Sequence, residues 1–140
     1  MHFALIDTVL ERSPERLVAI KQVSLAEEYL QDHFPDFPVL PGVMMLEAMV
    51  QAGRELVQPK APATRLVLGQ VRALKYGKFV QPGRAIRIEV TLNKDPGDGT
   101  YDCKGEVTLL AQAGQPQPAG ETGDATAASG RFTLRPLKTA

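Results

Sequence analysis

The sequence has one cysteine, Cys103, and only two histidines among its 140 residues. A lone thiol excludes an intrachain disulfide, and a zinc site would have to be completed by carboxylates. Neither a disulfide scaffold nor a metal centre is therefore expected, and no cofactor is implied. Charge of either sign is not in excess, since 16 Lys and Arg balance 16 Asp and Glu. Nucleic acid and anionic membrane surfaces need a broad basic field, which this balance does not supply; any acidic partner must be met by a local patch. No stretch approaches the roughly 18 uninterrupted apolar residues of a spanning helix. The first residues, MHFALIDTVLERSPERL, carry Asp7 and Glu11 where a secretory signal has a basic start and a long apolar run. The expectation is a protein without a membrane span, in the reducing cytoplasm.

What is present suits a single globular domain over residues 1–140, with 44% hydrophobic and 23% charged residues. Segments 2–12 and 15–23, separated by Ser13-Pro14, read as a β-hairpin, and LAEEYLQ after them as a short helical stretch. Pro35, Pro38 and Pro41 restrict residues 33–41 to an ordered extended loop, and Pro41 suits the start of a helix. From there PGVMMLEAMVQAGRELV places apolar residues at nearly every angle of a helical wheel, which predicts a helix surrounded by protein. Strands are expected at 65–76, 84–94 and 100–111, divided by Gln81-Pro82-Gly83 and Asp95-Pro96-Gly97-Asp98-Gly99, and again from Arg131 to Leu137. Residues 111–130, poor in large apolar side chains, read as a flexible loop. One long helix among about six strands is an α+β arrangement in which a curved antiparallel sheet wraps the helix.

Glu47 is the anomaly of that helix, flanked by Met44, Met45, Leu46, Ala48, Met49 and Val50. A carboxylate among such neighbours either takes up a proton or is held by specific partners, and Gln51, one turn on, is the nearest candidate. An alternative is that the helix turns one edge to solvent at Glu47 and Gln51. His33 sits in a loop limited by prolines, where an imidazole that exchanges protons near neutral pH would be preorganised; a loop histidine satisfied by backbone groups is the plainer alternative. Gly42, at the presumed helix start, offers backbone N–H groups without intrahelical partners, where negative charge is stabilised. A Pro-Gly there is also ordinary loop chemistry.

The run HFPDFPVLPGVMMLEAMVQAG, residues 33–53, resembles the signature of the FabA/FabZ family of 3-hydroxyacyl-acyl-carrier-protein dehydratases. The shared features are the His-Phe-Pro opening, the Pro-Val-x-Pro-Gly loop, the acid 14 positions after the histidine, and the Ala and Gln beyond it. LVAIKQVSLAEEYLQ and KFVQPG extend the likeness more loosely. The resemblance implies a hot-dog fold and a lyase acting on 3-hydroxyacyl thioesters in fatty-acid or related synthesis, delivered by acyl carrier protein or coenzyme A. It implies His33 as the base at C2, Glu47 as the acid at the 3-hydroxyl, the Gly42 N–H on the thioester oxygen, and the Val39 carbonyl as a support for the histidine. Glu in place of Asp at 47 points to the non-isomerising, FabZ type. The resemblance further implies a homodimer in which histidine and acid come from different subunits, with three dimers in some members. A narrow apolar tunnel along that interface would be lined by residues such as Phe37, Met44, Met45 and Met49, which otherwise are simply core.

An acidic carrier calls for basic residues near the tunnel mouth. Arg72, Lys75, Lys78 and Arg84 are candidates, although strict strand alternation sets 72 and 78 on the face opposite 75. The sequence departs from the family at Asp32, where glycine is usual, at Arg84, where an acid is common, and at its shorter start. Two rivals stand beside a dehydratase: a hot-dog thioesterase, which would use a carboxylate to activate water, and a non-catalytic hot-dog protein that binds acyl chains or assembles with an active partner.

Overall fold

The computed structural model describes residues 4–24, 40–111 and 124–137. Six strands, β1 (Thr8–Arg12), β2 (Arg16–Gln22), β3 (Leu66–Tyr76), β4 (Ala85–Lys94), β5 (Tyr101–Leu109) and β6 (Ala125–Pro136), form one sheet in the order β1-β2-β4-β5-β6-β3. Every pairing is antiparallel. Among the described residues one long helix, α1 (Gly42–Val57), lies against this sheet, chiefly over β4, with a short 3-10 turn at Gln58–Lys60 after it. The expected arrangement of a sheet around one helix is therefore observed. The proposed helical stretch LAEEYLQ and the loop from His33 to Val39 lie outside the described residues.

Alternation drives the packing. On β4, Ile86, Ile88 and Val90 are buried while Arg87 and Glu89 between them are not, the period-two pattern of a strand with one face in a core. Helix residues Met45, Ala48, Met49, Ala52, Leu56 and Val57 meet this face together with Leu17, Ala19, Cys103, Val107, Phe132 and Leu134. Burial of this apolar surface is the main force holding helix to sheet. At the closest approach, β5 carries Gly105, where an added Cβ would stand 2.6 Å from Met49 Sδ. Glycine there lets the helix settle onto the strand, at the expense of strand propensity.

Two readings of the sequence are corrected. The last strand begins at Ala125, not Arg131, so 125–130 is paired strand and not flexible loop. Its first half lacks bulky side chains because Ala127 and Ala128 are already fully buried, in positions where small residues suffice. The helix is not enclosed all round: Val43 is 63% exposed, and Glu47, Gln51 and Arg54 share a half-exposed stripe. An apolar residue at every angle of the wheel did not mean burial at every angle within one chain.

β3 departs from regular alternation. Its register against β6 shifts between Leu68 and Val71 and again between Arg72 and Lys75, and Ala73 in the second bulge has φ of 52°. That left-handed conformation is strained for a residue with a Cβ. Two residues of β3, Ala73 and Leu74, oppose one of β6, Gly130, here, with Arg72 beside Arg131 and Lys75 beside Ser129. The bulge thus returns Lys75 to the same face as Arg72, against the expectation from strict alternation.

Candidate active site

The N-terminus of α1 is bare. Pro41 occupies the capping position without a side-chain hydrogen bond, and the first turn holds no acid. The Met44 and Met45 N–H groups both donate to the Pro41 carbonyl, at 2.9 and 3.4 Å. The N–H groups of Gly42 and Val43 precede that ladder and have no acceptor among the described residues, so they retain the electropositive character of a helix start. Tyr76, at the end of β3, lays its ring over this turn: a Cβ on Gly42 would come within 2.9 Å of it. A side chain at Gly42 would therefore push the exposed Tyr76 ring aside.

About one and a half turns further along α1 stands Glu47. Gln51 Nε2 and Arg54 Nη2 each donate to its Oε1 at 3.3 Å. Gln51 in turn accepts from the Leu5 N–H through its own Oε1 at 2.9 Å, which fixes which end of the amide faces Glu47. The expected Glu47–Gln51 contact is therefore present. Glu47 is 41% exposed, so the alternative of a helix edge open to solvent describes the single chain. Gln51 and Arg54, with Ile6, Glu55 and Gln58, line a cleft of about 370 Å³.

Of the other site residues read from the sequence, His33, Phe37 and Val39 lie outside the described residues. Met44 is partly buried, while Met45 and Met49 are core residues under the sheet, which removes those two from the lining of any open groove in this chain. The proposed basic patch is redistributed. Arg72 is held by Asp102 at 3.2 Å, and Arg84 donates to the Leu110 carbonyl at 2.7 Å. Lys75 joins Lys104 and Arg131 around a shallow depression of about 170 Å³ beside Ala73. Lys104 and Arg131 were not singled out in the sequence, because only the pairing across β5 and β6 brings them together. Cys103 is wholly buried, and desolvation, with Asp102 beside it, pushes its thiol up to about 12. A protonated, enclosed thiol is not an acyl acceptor.

A family model described as ApeI-like, ApeI dehydratase, matches residues 10–113. The chain belongs to this family of dehydratases. Relatives agree: 3-hydroxyacyl-[acyl-carrier-protein] dehydratase FabZ of Symbiobacterium thermophilum is 38% identical over 84% of this chain and 93% of its own length. FabZ of Clostridium perfringens is 34% identical over 75% of this chain and 85% of its own. The alignment with FabZ of Solibacter usitatus, 42% identical over 66% of this chain, spans 59% of that relative. Among solved structures, the dehydratase heterocomplex ApeI:P from Xenorhabdus doucetiae superposes with a TM-score of 0.68 at 16% identity, over 96% of this chain and 99% of that one. Thioesterase superfamily member 2 from Mus musculus gives 0.64 at 17% identity, over 90% and 78%. These two likenesses identify the hot-dog fold, which dehydratases and thioesterases share. Membership of the dehydratase family, of FabZ type, is what the sequence comparisons add.

Proposed function

We propose that this FabZ-like dehydratase converts 3-hydroxyacyl thioesters to trans-2-enoyl thioesters, with Glu47 as its acid and His33 as its base. The observation that carries the reading is Glu47 itself: a carboxylate oriented by two donors, close after an uncapped helix start, in a chain whose relatives are FabZ dehydratases. The His33 imidazole removes a C2 proton, charge develops on the thioester oxygen, and the Gly42 N–H with the α1 dipole stabilises it. Glu47 gives its proton to the 3-hydroxyl, the C3–O bond breaks, and water leaves as the C2–C3 double bond forms. Val39 supports the histidine through its carbonyl, Gln51 orients the acid, and Phe37 and Met44 border the acyl chain.

In this reading the site is shared between two copies, His33 of one facing Glu47 of the other, and assembly proceeds to a dimer or a trimer of dimers in the cytoplasm. Two features favour a partner there. β3 is an edge strand with no strand beyond it among the described residues, and Val43, Tyr76 and Phe79 leave apolar surface exposed near the helix start. Lys75, Lys104 and Arg131 give the anionic carrier, acyl carrier protein or the phosphates of coenzyme A, a basic face to approach.

The test is hydration of crotonyl-coenzyme A, followed by loss of enoyl absorbance, alongside a free-thiol assay for hydrolysis. Wild-type turnover, lost at least about a hundredfold in His33→Ala and Glu47→Gln with folding retained, is the expected result. Full activity in both variants refutes the assignment, and thiol release without hydration makes the chain a thioesterase.

A further inference from the structure

Arg54 is one of the two donors on Glu47 but takes no named part in the steps above, and it reaches back two helical turns, about 10.5 Å along the axis, to place Nη2 3.3 Å from Glu47 Oε1. Helical ion pairs ordinarily join residues three or four apart. Glu55, the acid next to Arg54 in sequence, is already engaged: Arg12 donates to its carbonyl at 2.8 Å and to its carboxylate at 3.0 Å. Glu47, Gln51 and Arg54, with Gln58 in the turn that follows α1, succeed one another at spacings of four, three and four, a polar stripe along one face of the helix.

Stability does not account for the pair. Glu47 is 41% and Arg54 33% exposed, and ion pairs so open to water contribute little to stability. Geometry is more informative. Both donors, Gln51 Nε2 and Arg54 Nη2, converge on Oε1, while Oε2 has no partner among the described residues. An N–H donor prefers the carbonyl-type oxygen of a protonated carboxyl group, so two of them on Oε1 direct the proton to Oε2.

We propose that Arg54 is a positioning residue for Glu47. With Gln51 it ties down Oε1, so that the proton to be donated sits on Oε2, and its guanidinium faces the carboxylate left once that proton has passed to the departing hydroxyl. The proposal rests on the dehydratase reading, in which Glu47 is the acid.

The experiment measures crotonyl-coenzyme A hydration by the purified full chain and by Arg54→Ala, Arg54→Lys and Glu47→Gln, with thermal unfolding of each. Arg54→Ala is expected to lower kcat about tenfold with KM held within about twofold, because the lost interaction acts on the acid and not on substrate binding. Arg54→Lys should recover part of the loss, since it restores charge without the fork. Millimolar guanidinium chloride should recover part of it in Arg54→Ala and none in Glu47→Gln. An unchanged kcat in Arg54→Ala overturns the proposal. So does a loss that neither lysine nor guanidinium repairs. If the wild-type chain shows no hydration, or Glu47→Gln keeps full activity, it is the dehydratase reading that fails; an Arg54→Ala result equal to wild type beside an inactive Glu47→Gln defeats the role of Arg54 alone.

Discussion

Gly105→Ala adds one methyl group on the far side of the helix from Glu47, and the structure foresees a loss of both stability and activity. The new Cβ would lie 2.6 Å from Met49 Sδ, 3.0 Å from its Cγ and 3.2 Å from its Cβ. Ordinary carbon contacts lie at about 3.5–4.0 Å, so the nearest overlap is about 1 Å. Met49 is fully buried. Its sulfur can swing aside, but its Cβ moves only with the backbone, so α1 must retreat from β5 by a few tenths of an ångström. Overpacking of this kind costs about 1–3 kcal/mol. Because Glu47 is two residues along the same helix, the shift is transmitted to the carboxylate, and crotonyl-coenzyme A hydration should fall about tenfold, in keeping with the steep dependence of rate on placement. Urea unfolding at fixed protein concentration measures the first effect. Met49→Ala alone should cost about 2–5 kcal/mol by leaving a cavity. In the double variant the new methyl enters the vacated space, so the two changes should be non-additive by more than about 1 kcal/mol. A Gly105→Ala protein as stable as wild type, or a cycle additive within about 0.5 kcal/mol, would refute the packing account.

The remaining predictions are simpler. Cys103, its thiol raised to about 12 by burial, stays protonated through neutral pH, so the native protein should not react with a thiol-specific disulfide reagent at pH 8 and should react once urea unfolds it; rapid native labelling would contradict the burial. At Ala73, whose φ is 52°, Ala73→Val should lower unfolding free energy by about 1–2 kcal/mol while Ala73→Gly leaves it equal or slightly higher. Equal stability of the valine variant would show that the bulge is not strained.

The fold was legible wherever burial follows a period. The turn residues Gln81-Pro82-Gly83 located β4, whose Ile86, Ile88 and Val90 alternate in burial, and Pro41 marked the start of α1. The first half of β6 was missed because Ala125, Thr126, Ala127 and Ala128 have too little side chain to carry a strand signal; their burial comes from neighbours distant in sequence. Within the site, the Glu47–Gln51 contact followed from one helical turn, whereas Arg54 lay two turns away and passed unnoticed, although the 47-51-54-58 spacing of polar residues pointed to it. The grouping of Lys75 with Lys104 and Arg131 depends on a backbone irregularity at an alanine, for which local sequence offers no cue.

The bulges also bear on strand recruitment at the sheet edges. An open sheet has two free edges, and flat ones recruit further strands without limit, the route to fibrillar aggregates. Among the described residues both edges, β1 and β3, are irregular. β1 shifts register between Val9 and Glu11, β3 does so twice, and charged Glu11, Arg12, Arg72 and Lys75 stand along them. A strand arriving at β3 therefore meets a kinked template that only a segment of matching irregularity can follow, which disfavours indefinite stacking. Straightening β3, by deleting Ala73, would be expected to remove that discrimination and make the chain prone to aggregate.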